Sequence, residues 1–249
     1  MTDLKAQAEQ LRALHDGRLL LLPNVWDAAS ARIVAEAGFP AVATASAAIT
    51  AMLGYPDGQG APWVEMFAAA TRIARAVSVP VTVDAEAGYE LPPRDLVDAL
   101  LEIGAAGCNL EDTDHLRGGL VDAEAQADWL AAVRSAAGEA GVPIVINARV
   151  DTFLPSSGIP EAGQLAEAVR RGRRYREAGA DCIYPIGLRR KADLAALASE
   201  LPGPINGNTS DELDLATLRE LGIVRVSYGP RFYRAAMADF TIAVQQLLG

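Results

Sequence analysis

Short runs of Val, Ile, Leu and Ala alternate along this chain with longer stretches whose apolar positions recur every three or four residues. The first kind reads as strands buried on both faces and the second as helices packed along one side. The alternation therefore predicts repeated βα units around a parallel sheet. Eight strands are expected: Leu19 to Leu22, Ala41 to Thr44, Val81 to Val83, Gly107 to Leu110, Ile144 to Ala148, Cys182 to Pro185, Pro204 to Gly207 and Val224 to Ser227. A helix-like segment follows each, and one more, Leu4 to His15, precedes the first. Four helices end alike, at Glu36-Ala37-Gly38, Glu102-Ile103-Gly104, Glu177-Ala178-Gly179 and Glu220-Leu221-Gly222, just ahead of a strand. Glycine suits the left-handed position past a helix end, so these are αβ turns of one repeated unit. A single (β/α)8 barrel spanning 1–249 follows. An open doubly wound sheet is disfavoured, because Pro23-Asn24-Val25-Trp26-Asp27 stands after the first strand where a Gly-x-Gly-x-x-Gly turn would be needed. The last stretch, Phe232 to Leu248, is a helix with Phe232, Ala235, Ala236, Phe240, Val244 and Leu247 on one face. That face is expected to pack on its own barrel, with exchange onto another subunit as the alternative.

A chain of 249 residues suits one barrel of about 250. A net charge of −10 opposes binding to nucleic acid, since no face gathers the cations that displace phosphate counterions. No apolar run reaches the roughly 18 to 20 residues that cross a bilayer, and Met1 to Gln10 is polar, so a cytoplasmic protein without membrane contact is expected. Cys108 and Cys182, each within an apolar run, read as small core residues. Of the 22 basic residues 20 are Arg; the two lysines, Lys5 and Lys191, fall on helices, which sets aside a Schiff-base mechanism needing an amine inside the barrel. His15, in the leading helix, is expected at the surface, and His115, in the loop after the fourth strand, as a candidate proton donor.

In a barrel the side chains just past the strand ends converge on one mouth. Here these are Asn24 and Asp27, Ser46 and Asp57, Asp84 and Glu86, Glu111 and Asp112, Arg149 and Asp151, then Asn206 and Asn208. Carboxylates crowded together repel each other unless a cation neutralises them, and a hard divalent ion does so with oxygen ligands alone. Asp84 and Glu86 are expected to alternate along one extended segment and point the same way, with Glu111 arriving from the next strand and Asp57 leaning in from a long loop. Zinc is disfavoured because no His or Cys pair has ligand spacing. Arg149, the one cation of the set, has a planar fork suited to a carboxylate, with a buried ion pair to Asp151 or Glu111 as the alternative.

These stretches, together with Thr44-Ala45-Ser46, Gly54-Tyr55-Pro56-Asp57, Asp84-Ala85-Glu86-Ala87-Gly88-Tyr89, Leu110-Glu111-Asp112 and Ala148-Arg149-Val150-Asp151, resemble the isocitrate lyase/phosphoenolpyruvate mutase superfamily over nearly the whole chain. The resemblance implies that Asp84 ligates Mg2+ directly, or Mn2+ in its place, while Asp57, Glu86 and Glu111 hold its waters. It implies that Ser46, the amides of Ala47 and Ala48, and Arg149 grip the carboxylate of a small 2-oxo acid, and that the enzyme makes or consumes an enolate. It also implies a dimer of dimers exchanging a terminal helix. Tyr184 and Asn208 are expected to line the substrate space. The chain departs from the thiol-dependent lyases, because Thr113-Asp114-His115-Leu116-Arg117-Gly118-Gly119 holds no Cys, and from the phosphonate enzymes, because no Lys lies in that loop; Arg117 is the candidate substitute. Glu86 stands where many members have Asp. A Mg2+-dependent carbon–carbon lyase such as an oxaloacetate decarboxylase is the leading expectation. The alternatives are C–P chemistry on phosphonopyruvate and a non-catalytic binding paralogue.

Overall fold

Pro23 cannot donate to a strand ladder, and it divides the first stave of the barrel in two. In the computed structural model, which describes residues 3–248, β1 (Leu20–Leu22) pairs in parallel with the last strand, β9 (Arg225–Ser227). Beyond Pro23, β2 (Asn24–Val25) pairs instead with β3 (Val42–Thr44). The sheet continues, parallel throughout, through β4 (Val81–Asp84), β5 (Gly107–Glu111), β6 (Val145–Val150) and β7 (Cys182–Pro185). A bridge from Ile183 to Ile205 leads to β8 (Asn206–Gly207), which pairs with β9. The ring is thereby closed, as the eight apolar runs predict. Met1, Thr2 and Gly249, included in the expected span, lie outside the described residues.

The helices are α1 (Leu4–Ala13), α2 (Ala28–Glu36), α3 (Ser46–Leu53), α4 (Trp63–Arg75), α5 (Pro93–Ile103), α6 (Ala123–Glu139), α7 (Glu161–Glu177), α8 (Lys191–Glu200), α9 (Leu215–Glu220) and α10 (Arg231–Gln245). Helix α5 shows the local logic: proline occupies its first turn, Leu96, Val97, Leu100 and Ile103 bury one stripe, and Gly104 ends it at φ 88°. Gly38, Gly179 and Gly222 also take positive φ, which makes the recurring αβ turn real. No described helix is long and apolar enough to cross a membrane.

Helix α1 closes the N-terminal end. Its Leu11 sits with Leu20, Leu22, Ala41, Ala43, Ala106 and Val145, and Gly107 admits it, since a Cβ there would lie 2.9 Å from Leu11. Arg12 pairs with Asp181 and donates to the Pro143 carbonyl at 3.0 Å, tying α1 to the starts of β7 and β6. Inside the barrel, Asn147 donates to Asn109 (2.8 Å) and Asn206 (3.1 Å), Ser227 donates to Asn206 (2.9 Å), and Arg225 donates to Asn109 (3.1 Å). Cys108 and Cys182 are free and buried, as core residues should be.

Two expectations fail. His15 is 5 % exposed, with Nδ1 2.8 Å from the Leu11 carbonyl, because α1 lies across the barrel end and turns that side inward. Helix α10 buries no residue; Phe232, Met237, Phe240, Ile242 and Val244 are exposed, and Tyr233 meets Trp26 edge-on at 5.3 Å. Its apolar face therefore does not pack into its own core.

Burial, followed by the nearby charge of Arg225, lowers the pKa of His15 to about 4. A histidine held neutral in the fold gives stability that is complete above its unfolded pKa near 6.5 and is lost as pH falls toward the folded value. Chemical denaturation of wild type against His15→Gln is expected to show wild type losing about 2 kcal/mol more between pH 7 and pH 5; equal losses would contradict burial of a neutral imidazole.

Candidate active site

The C-terminal ends of β3 to β6 bring the acids together, but the chain does not stay extended as expected. Strand β4 stops at Asp84, and Glu86, at φ 48°, lies in a left-handed turn with Gly88 (φ 84°), Tyr89 (φ 54°) and Glu90 (φ 57°). Left-handed non-glycine residues cost on the order of 1 kcal/mol or more and persist where the surroundings hold them. Here Tyr89 donates its hydroxyl to Glu86 at 2.6 Å, and the Gln59 amide donates to the other carboxylate oxygen. Gly88 must be glycine on a second count, because a Cβ would sit 2.7 Å from the Trp129 ring. Glu86 thus reaches the mouth by a turn and is 1 % exposed.

Asp84 is positioned by its own strand and the one beside it. Its amide donates to Thr44 Oγ1 at 2.8 Å, and its Oδ2 accepts from the Ser46 amide at 3.1 Å, at the start of α3 where helix amides lack partners. Ser46 is buried and Ala47 follows in the first turn of α3; the Ala48 amide is spent on the Ala45 carbonyl at 3.1 Å. Asp57 is exposed, and the loop's closest approach to Glu86 is through Gln59.

Glu111 is 2 % exposed. His115 Nε2 lies 2.5 Å from its Oε1, and Arg149 Nη1 lies 2.6 Å from its Oε2, within ion-pair reach but off the line of a hydrogen bond. Arg149 also meets Asp151 twice, at 2.7 Å from Nε and 2.7 Å from Nη2. The alternative of a buried ion pair is therefore what the fold contains, with both predicted partners. Burial opposes the charge on Arg149, but Glu111 and Asp151 outweigh it and raise its pKa. Burial raises Glu111, against the pull of Arg149 and the His115 hydrogen bond. Burial likewise raises Glu86, against the Tyr89 hydrogen bond, and the hydrogen bond to Glu111 raises His115.

Asp112, counted among the mouth acids, faces the other way. It is wholly buried, accepting from Arg171 (3.0 Å), Tyr175 (2.7 Å) and the Asp151 amide (2.9 Å), and so joins β5 to β6 and α7. Asp27 caps α2, and Asn24 accepts from the amides of Tyr228 and Gly229, so both serve the backbone. Arg117 is 83 % exposed and pairs with Asp114, which removes it as a substitute for the missing lysine. His115 is not a solvated loop histidine: its side chain is 19 % exposed and directed at Glu111. Tyr184 and Asn208 are joined at 2.9 Å and, with Tyr228 and Arg231, line a cavity of about 1010 Å3 past the ends of β7 to β9, to which Asp84, Glu86, Glu111 and Arg149 do not contribute. Thr44, Gln59 and Tyr89, which hold Asp84 and Glu86, carry no chemical signature that sequence reasoning would single out; their roles rest on contacts 27 and 40 residues apart, or on a turn unlike any regular element.

Asp84 Oδ1 and Glu111 Oε2 are buried with no hydrogen-bond partner. Glu111 Oε2 has the Arg149 guanidinium beside it at 2.6 Å, which leaves Asp84 Oδ1 as the orphaned carboxylate oxygen; such an oxygen next to further acids fits a divalent cation, the expected occupant of such a set. The phosphoenolpyruvate phosphomutase family model matches residues 11–248.

The chain belongs to the isocitrate lyase/phosphoenolpyruvate mutase superfamily.

Among its relatives is an oxaloacetate decarboxylase of Bradyrhizobium diazoefficiens, 32 % identical over 84 % of this chain and 74 % of that protein. A solved structure assigned as a phosphonomutase of Burkholderia cenocepacia is 40 % identical, with TM-score 0.89 over 97 % of this chain and 99 % of that one. Oxaloacetate acetylhydrolase with its product oxalate is 25 % identical, with TM-score 0.86 over 99 % and 88 %. The closed barrel is thus that of a superfamily of lyases and mutases.

Proposed function

We propose that the protein is a Mg2+-dependent lyase for a small 2-oxo dicarboxylate, with oxaloacetate decarboxylation as the simplest case. The observation that carries this reading is the orphaned Oδ1 of Asp84 at a strand end paired with that of Glu111, whose own carboxylate a fixed guanidinium holds. When bound, a divalent cation there supplies the Lewis acid that accommodates the negative charge of an enolate. Asp84 and Glu111 would hold it, with Glu86 and Asp57 toward its waters. Asp151 keeps two nitrogens of Arg149, leaving Nη1, now on Glu111, as the donor a substrate carboxylate can claim. Ser46 and the Ala47 amide would meet the same carboxylate at the positive end of α3. Breaking the bond to a departing carboxyl group requires no thiol acid, in keeping with a 113–119 loop that contains none. His115, the expected proton donor, is engaged with Glu111 and is not needed for that step. The oxaloacetate enzymes among the relatives support this choice of substrate.

The relative assigned as a phosphonomutase favours a second reading, C–P chemistry on phosphonopyruvate. We also propose that the protein is a homo-oligomer, a dimer of dimers, in which α10 packs on a neighbouring subunit, since its apolar residues are exposed on its own.

Purified protein with oxaloacetate and Mg2+ is expected to release pyruvate and to stop on addition of chelator; release that survives metal removal, or phosphate release from phosphonopyruvate alone, would contradict the decarboxylase reading. Light scattering is expected to report a tetramer that Phe240→Glu dissociates, and a monomeric wild type would contradict the assembly.

A further inference from the structure

The cavity of about 1010 Å3 past β7 to β9 is at the upper end of the roughly 300 to 1,000 Å3 that hold drug-sized ligands, and a four-carbon acid fills little of it. A line of contacts joins it to the mouth. Tyr184 stands beside Arg149 in the register of β6 and β7, and its hydroxyl accepts from Asn208 at 2.9 Å. Next in the chain, the Thr209 hydroxyl accepts from Arg231 Nη1 at 3.3 Å, and the Ser210 hydroxyl donates to the Arg189 carbonyl at 2.9 Å. Residues 208–210 thereby tie together the loops after β7 and β9, and each of those loops brings an arginine to the cavity wall.

Six charged side chains line this cavity, and three are committed to contacts within the protein. Arg190 pairs with Asp193 and Glu161, Glu212 accepts from the Lys191 amide at 3.0 Å, and Asp214 caps α9. Among the described residues neither Arg189 nor Arg231 forms an ion pair, and the two share the wall with one remaining acid, Asp211. Tyr184 is 4 % exposed, and burial pushes its pKa up to about 12, so the hydroxyl stays protonated. Having accepted from Asn208, that hydroxyl keeps its own hydrogen for a ligand passing from the mouth to the cavity.

Resting on the reading of the mouth as a 2-oxo acid site, we propose that the substrate carries, on the carbon beside its oxo group, an arm that passes Tyr184 into this cavity and ends in an anionic group, a carboxylate or a phosphonate, held by Arg231 and Arg189. Oxaloacetate is then the core of the substrate rather than the whole of it. A guanidinium donates in a planar fork that suits either terminus. Arg231 is the stronger determinant, because Thr209 fixes its Nη1 and leaves the rest of the fork to the ligand, while Arg189 adds charge. Loss of the departing carboxyl group asks nothing of the arm, so the two arginines act in selection.

Calorimetry on the full-length protein with Mg2+ tests this with three acids of matched length. The arm of 2-oxoadipate ends in a carboxylate, that of 2-oxo-5-phosphonopentanoate in a phosphonate, and that of 2-oxohexanoate in a methyl group. Wild type is expected to bind the better anionic acid about tenfold or more tightly than 2-oxohexanoate, and the tighter of the two names the terminus. Arg231→Gln should cut that preference to about threefold or less, and adding Arg189→Gln should abolish it. Oxalate has no arm and reports the mouth alone. With oxalate bound, a wild type that shows no preference for either anionic acid, or a double variant that keeps the full preference, would overturn this inference and leave the mouth reading standing. Failure of wild type to bind oxalate would overturn both.

Discussion

Buried negative charge without enough positive charge beside it is the constraint from which the rest of this molecule follows. Glu86, Glu111 and Asp151 are buried beside a half-buried Asp84, and Arg149, the guanidinium paired within this set, is already shared between Glu111 and Asp151. At low dielectric such an imbalance is relieved by taking up protons or by binding a cation. Burial, the first cause in both, raises the pKa values of Glu86 and Glu111 and records that pressure. The fold tolerates it because the barrel supplies rigid strand ends to hold the charges, and because the acids that serve structure are paired elsewhere. Asp112 with Arg171 and Tyr175 is one such pairing, and Asp181 with Arg12 and Arg134 is another.

The same constraint gives meaning to local strain. Glu86 adopts a left-handed backbone that costs stability, and three neighbours over-determine it: the Tyr89 hydroxyl, the Gln59 amide and the space that Gly88 leaves for Trp129. The strain sits in the turn after β4, where the Glu86 carbonyl accepts from the Glu111 amide at 2.9 Å.

Much of the architecture was legible in the residues. Apolar runs mark the eight staves of the ring because parallel barrel strands are buried on both faces, and the glycines after α2, α5, α7 and α9 mark their turns. Helix α10 was misread because its apolar stripe looks the same whether the covering surface belongs to its own barrel or to another molecule. His15 was misread because a polar residue near the end of a leading helix gives no sign that the helix lies across the barrel floor. At the site, the residue types and the strand ends were legible, whereas the direction of Asp112 was not, since adjacent residues at a strand end face opposite sides of the sheet. The contact of His115 with Glu111, four positions earlier, escaped because it is made through a folded loop that no spacing rule describes.

The central claim is that one cation sits among these strand ends. Crystals soaked with Mn2+ and oxalate, with data collected near the manganese absorption edge, test it most directly. The account predicts a single anomalous peak enclosed by Asp84, Glu86 and Glu111, with oxalate between it and Arg149. A peak elsewhere on the barrel, or none at saturating Mn2+, would contradict it.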